Sequence, residues 1–319
     1  MKYLIALSLI ILLILTSGCE PKQQAVDNEK KPLILVTIYP YELLVQQLVG
    51  DGIEVRSLIP PNASPHTWNA QPADLKGLHT ADLIISNGMG LEMFLNQSLS
   101  QIADKHLVCS DLLRDLIVLD SLKQVALRAM QSETHSEVGH EHEAEHDHHH
   151  VGTDPHLWNS ALMMIKLTTK LKTELSNRFP DYAPVIGHKA NEIIKELTQA
   201  HERISRERAA FASPGLVTYH NSYHYFCDDY VIDYLGWVQT SPGKEPTPKE
   251  LTALGNKIKK YGVRTIFIEP QQNPKSAEVL AREYKLEIKT LDPMGHTLNV
   301  NTIAELILAN WETMKSGFR

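Results

Sequence analysis

Three of the 16 histidines in this 319-residue chain stand where a chain could aim an imidazole at a ligand. His66 ends the stretch Pro60-Pro61-Asn62-Ala63-Ser64-Pro65-His66, whose prolines and asparagine stiffen a turn after an apolar run. His156 lies in Asp154-Pro155-His156-Leu157-Trp158, a second proline-stiffened loop. His220 follows Leu216 to Tyr219 and opens His220-Asn221-Ser222-Tyr223. All three sit at strand ends or in loops, where α/β sheets place their ligands. Neutral imidazole is the commonest metal-ligating side chain, and three of them supply most of a tetrahedral zinc shell. A single loop histidine is more often an ordinary surface residue, so the argument needs the combination. His79, His106, His188, His201 and His296 lack such surroundings and read as surface or structural groups. His224 is four residues after His220, the spacing of the zinc-protease pattern H-E-x-x-H. Asn221 stands where that pattern needs its glutamate, which removes the protease reading.

A second histidine feature is compositional. Seven histidines fall in one stretch, at His135, His140, His142, His146, His148, His149 and His150, interleaved with Glu and Asp. The segment has no apolar period and cannot build a core, so it reads as a solvated loop. Its donors suit an auxiliary metal-gathering role. A flexible loop loses conformational entropy on binding, so its sites are expected to be weaker than a preformed one.

The elements that must position these groups alternate along the chain. Leu33 to Ile38, Ile53 to Ile59, Ala81 to Ser86 and Leu107 to Cys109 read as short buried strands. Tyr41 to Val49 and Leu162 to Leu175 read as helices. A second strand-and-helix series covers Leu216 to Tyr219, Pro248 to Tyr261, Val263 to Ile268, Pro274 to Tyr284, Leu286 to Thr290 and Val300 to Lys315. Thr247-Pro248-Lys249-Glu250 is a strong helix start, and Gly262 a stop. Between the two series, Tyr182 to Phe211 carries Ile193, Ile194, Leu197, Ala200 and Ile204 at helical spacing. The expectation is α/β: two parallel-sheet lobes joined by one long helix. The boundaries are an N-terminal lobe at 32–180 (with the histidine-rich loop at 135–150), a connecting helix at 181–212 and a C-terminal lobe at 213–319.

The formal net charge of −7 gives a nucleic-acid role no electrostatic support. The first residues read as an export signal at 1–18: Lys2, an apolar run from Leu4 to Leu15, then small residues before Cys19. Ser17-Gly18-Cys19 resembles a bacterial lipobox, with a departure at Thr16, so Cys19 is the expected lipidation site and residues 19–31 a polar tether. Such an anchor would place the protein outside the cytoplasmic membrane, held to a bacterial membrane at the periplasm or cell surface. Cys109 and Cys227 fall in different expected lobes and read as two buried free thiols.

Five motifs in order carry a family resemblance: Pro60 to His66, Asp154 to Trp158, Tyr219 to Phe226, Ile268 to Gln271 and Leu291 to Gly295. Over residues 33–319 the chain resembles the metal-binding lipoproteins of ABC-type importers, the cluster A-I solute-binding proteins, and within them the zinc-specific ZnuA-like branch. That resemblance implies a metal site in the cleft between the lobes. It implies His66 and His156 from the first lobe and His220 from the second as ligands, with Asp292 in the fourth, carboxylate position. It implies a monomeric, non-enzymatic subunit that binds Zn2+ and hands it to an ABC permease.

The nitrogen-rich set favours zinc, since oxygen-rich shells suit manganese. The alternatives are a manganese- or iron-binding importer subunit, a surface adhesin, and a secreted zinc hydrolase using Glu269 or Asp292 as base.

Overall fold

Two four-stranded parallel sheets form the frame, and they share one winding order. The first, in the order β2-β1-β3-β4, is built from β1 (Leu33–Val36), β2 (Glu54–Ser57), β3 (Leu83–Ser86) and β4 (His106–Val108). The second runs β6-β5-β7-β8, from β5 (Gly215–Thr218), β6 (Asp233–Trp237), β7 (Thr265–Ile268) and β8 (Glu287–Thr290). In each sheet the strand order reverses beside the first strand, between β1 and β3 and between β5 and β7. A crevice opens outside the carboxyl ends of the strands at such a point. The apolar runs Leu-Ile-Leu-Val of β1 and Leu-Ile-Ile-Ser of β3 have no polar alternation because helices cover both faces.

The computed structural model describes residues 30–61, 63–119, 154–211, 215–239 and 243–318. The expected export signal, Cys19 and the histidine-rich stretch His135 to His150 lie outside the described residues. Among the described residues, the strands and helices all belong to the unit Pro32–Arg319.

Helix α1 (Tyr39–Val49) starts two residues earlier than its apolar period suggests, because Pro40 fits the first turn. Helix α2 (Pro72–Thr80) follows in the first lobe. The long helix expected between the lobes is α4 (Ala183–Arg208), with a proline in its first turn. It buries Ile186, Ala190, Ile193, Leu197, Ala200 and Ile204 at three- and four-residue spacing. Much of that stripe packs against α3 (Ala161–Arg178), so the connector is braced along its length rather than free-standing. Helix α5 (His224–Tyr230), α6 (Pro248–Tyr261) and α7 (Lys275–Tyr284) belong to the second lobe.

The closing helix α8 (Ile303–Gly317) returns to pack on both α4 and α1. One continuous core therefore joins Ile34, Leu44, Leu167, Leu197, Phe226 and Trp311, which come from both lobes. Close-packed interiors have low compressibility and transmit strain. Further hydrogen bonds cross between the lobes: Trp158 Nε1 donates to the Pro293 carbonyl (2.8 Å) and Asn159 Nδ2 to the Ser222 carbonyl (2.7 Å). Cys109 and Cys227 are both buried free thiols. Among the described residues, no helix is long and apolar enough to cross a membrane.

Candidate metal centre

His66, His156 and His220 converge. His156 Nε2 lies 3.1 Å from His66 Nε2 and 3.2 Å from His220 Nε2. The three ring centroids are 5.0 to 5.4 Å apart, and one ligand nitrogen from each ring falls within a common 4.8 Å. Zinc–nitrogen bonds of 2.0–2.1 Å in a tetrahedron put neighbouring nitrogens roughly 3.3 Å apart. The observed separations are close to the edges of such a tetrahedron. Their cavity is about 10 Å³, walled by Ser64, Pro65, Trp158, Glu269 and Gln271 among others. That is room for about one water-sized guest.

Each of these imidazoles is aimed by its local sequence. The loop after β2 closes a turn in which Thr67 and Trp68 amides donate to the Ser64 carbonyl (3.1 and 2.9 Å), with His66 in its bend. Trp68 then meets the edge of Phe94, anchoring the loop to the first lobe. His156 opens a short 3₁₀ turn, Leu157–Asn159, before Ser160 caps α3 by accepting the Met163 amide at 3.0 Å. His220 leaves the end of β5. Thr218 Oγ1 and Tyr234 Oη fix its backbone by donating to the His220 carbonyl (2.7 and 3.0 Å).

Two of the three rings are backed by buried carboxylates. Asp154 Oδ1 accepts both the His156 amide (2.9 Å) and His156 Nδ1 (2.6 Å). Glu269 Oε1, at the end of β7, lies 2.6 Å from His220 Nδ1 and accepts Ser222 Oγ at 3.2 Å. An ionised carboxylate only accepts, so the proton of each ring is assigned to Nδ1 and the Nε2 lone pair is left for a cation. Burial acts to raise the Asp154 pKa, but the contacts with His156 outweigh it and leave that carboxyl below its usual value. Burial acts to lower His220, and Glu269 overrides it, so this pKa is raised. Among the described residues His66 has no such backing: burial first, then the charges of His156 and His220, hold its pKa well below the ordinary histidine value. At neutral pH its ring is neutral and available.

The fourth expected ligand is not brought in. Asp292 is 1% exposed, yet both its oxygens face protein donors. Oδ1 accepts Gln271 Nε2 (3.1 Å) and the Met294 amide (3.0 Å); Oδ2 accepts the Thr297 amide (2.8 Å) and Thr297 Oγ1 (2.7 Å). The carboxylate spends its acceptors on closing the loop after β8, and it does not join the three imidazoles. Glu269, weighed as a hydrolytic base, instead stands behind the His220 ring. His224 is the first residue of α5 while His220 precedes that helix, so the two do not share a helical face. His106 pairs with Ser86 Oγ (2.7 Å) and His296 stacks on Tyr39, both structural uses.

Sequence reasoning passed over the backing roles of Asp154 and Glu269. The Asp-Pro-His spacing was a usable signal for the first. The second required knowing that β7 lies beside β5.

Known proteins resemble this chain over most of its length. A family profile described as "ZnuA: Zinc-uptake complex component A periplasmic" matches residues 34–317. A putative metal-binding protein of Thermotoga maritima is 27% identical over 287 residues, covering 90% of this chain and 92% of that protein. The high-affinity zinc uptake system protein ZnuA of Haemophilus influenzae is 26% identical over 315 residues, covering 86% and 89%. The crystal structure of a ZnuA superposes with a TM-score of 0.71 at 21% identity, covering 91% of this chain and 100% of that one.

Proposed function

Because the chain belongs to the family of periplasmic zinc-uptake complex component A proteins, we propose that it is the solute-binding subunit of an ABC-type importer, which captures Zn2+ outside the cytoplasmic membrane and delivers it to the permease. The observation that carries this reading is the convergence of three imidazole nitrogens at 3.1 and 3.2 Å, two of them oriented by carboxylates. Zinc is cargo here, not a catalyst. The ion meets Nε2 lone pairs already gathered, exchanges water for nitrogen, and gives up little orientational entropy of the protein in doing so. His66, His156 and His220 are the proposed ligands. The cavity of about 10 Å³ between the three rings is sized for a single ion.

Calorimetry with a competing chelator on the purified chain tests this. One zinc per chain is expected at the cleft. Structural zinc sites yield roughly 10–16 kcal/mol over three or four ligands, about 4 kcal/mol each, so His156→Ala or His220→Ala should weaken zinc on the order of a thousandfold. Unchanged affinity in both variants would sink the assignment. Deleting residues 135–150 should lower the number of weakly held ions and leave the cleft site intact. In the proposed lipid-anchored arrangement, at the periplasm or the cell surface, Cys19 carries the lipid, and Cys19→Ser should release the protein from membranes on fractionation.

A further inference from the structure

Asp292 sits one side chain away from the metal cavity without entering it. Gln271, Pro293 and Met294 line that cavity, and Gln271 is the residue whose amide is bonded to Asp292. A carboxylate offers about four acceptor positions, and here four donors occupy them at 2.7 to 3.1 Å. The Gln271 orientation is fixed by the same chemistry, since only its NH2 can face an acceptor-only group. The backbone is held as well: the Asp292 amide donates to Asn310 Oδ1 (2.9 Å), and Asn310 Nδ2 donates to the Asp292 carbonyl (2.9 Å). A buried anion so fully bonded has nothing to gain by swinging toward a cation unless its donors are removed.

We propose that Asp292 is a carboxylate held out of the metal shell, and that Gln271 and Thr297, the side chains that hold it, set the selectivity of the site for a nitrogen-liganded cation over an oxygen-seeking one. This inference rests on the proposed zinc site. Three imidazoles alone form a shell that suits zinc; adding a carboxylate oxygen moves the preference toward manganese. Gln271 and Thr297 therefore act as specificity-determining residues without touching the ion.

The test uses the full chain carrying Gln271→Leu, Thr297→Val, or both, each with and without Asp292→Asn. Zinc and manganese affinities are measured by calorimetry, and the visible absorption of bound cobalt reports the coordination number. Asp292→Asn alone should leave zinc affinity within about threefold of the parent, since no ligand is lost. The double Gln271→Leu/Thr297→Val should strengthen manganese binding about tenfold, at the low end of neighbouring-shell effects on metal affinity, and should shift the cobalt bands as a carboxylate oxygen joins the nitrogen donors. Adding Asp292→Asn should erase both changes. Thr297→Ser, which keeps the hydroxyl, should behave as the parent and separates a fold defect from a lost hydrogen bond. A loss of zinc affinity of about a hundredfold in Asp292→Asn would overturn the proposal by making Asp292 a ligand. So would a double variant with no manganese gain, or a gain that survives Asp292→Asn. If the parent itself bound no zinc, the site reading would fail first, independently of Asp292.

Discussion

The two lobes wind their sheets in the same order, yet they use the crevice at the reversal point in opposite ways. In the first lobe the ends of β1 and β3 deliver Thr37 and Asn87, and Glu92 fills the space between them. Its carboxylate accepts Thr37 Oγ1 (2.7 Å), the Asn87 amide (2.8 Å) and the Gly88 amide (3.0 Å). In the second lobe the ends of β5 and β7 deliver His220 and Glu269, and the carboxylate is turned onto the imidazole instead. The first crevice is closed by its carboxylate; the second passes its carboxylate's charge outward to a ligand. Topology thus decides where a binding crevice can form, and one acidic side chain decides whether it stays open. The first lobe still contributes two of the proposed ligands, His66 and His156, but from loops beyond β2 and before α3, not from its own crevice.

Loading the open crevice should have the largest effect. A ligand bound only by the folded state stabilises it by about 4.1 kcal/mol when free ligand is a thousandfold above Kd. Thermal melts with zinc and with excess chelator should differ accordingly, and the difference should vanish in His156→Ala. Next in size are the carboxylates behind the ligands. Glu269→Gln and Asp154→Asn replace the acceptor-only anion that fixes an imidazole tautomer with a neutral amide that can also donate, and each should cost about 10–100-fold in zinc affinity. Glu92→Gln is the contrasting case. It puts an NH2 group where amide donors converge, and should destabilise the fold by about 1–3 kcal/mol while leaving zinc affinity unchanged. A zinc defect in Glu92→Gln would break the comparison, since it would mean the closed crevice also serves the site.

Much of this frame was legible in the residue pattern. The helix Pro248–Tyr261 was readable end to end, because Thr247 and Glu250 form a capping box and Gly262 stops it in the left-handed conformation at φ 64°. The second strand was read as Ile53 to Ile59 but pairs as a ladder only over Glu54–Ser57. The hydrogen bonds from the Leu58 and Ile59 amides to the Val36 and Thr37 carbonyls continue past that end, so the difference lies in where a strand is said to stop. The three histidines were legible because proline-stiffened loops and strand ends are local features. Asp292 was carried over from a resemblance, which transfers a residue type but not its hydrogen bonds. Three of those come from Met294 and Thr297 in the loop that Asp292 itself opens, and only the Gln271 bond is a tertiary fact with no local signature.

The smallest expected effect lies away from both crevices and calibrates the others. Glu207, on the connecting helix, receives Lys315 Nζ (2.7 Å), Arg203 Nε (2.8 Å) and Trp311 Nε1 (2.8 Å), tying α4 to α8. The Lys315 bond, then those from Arg203 and Trp311, hold its pKa down to about 2. A carboxyl lowered by folding adds stability that is fully present above its unfolded value near 4.5, and that is lost as pH falls toward 2. The side chains involved are partly solvent-exposed, and screening reduces the gain to on the order of 1 kcal/mol. Glu207→Gln should therefore be less stable than the parent by about that amount at pH 7, and the two should converge below about pH 2 when unfolding is followed by urea titration across the range. Because Glu207 lies on the brace and not in a crevice, zinc affinity should not follow that loss. If it did, the strut between the lobes would be setting the geometry of the imidazoles, and the division of labour between the two sheet ends would have to include it.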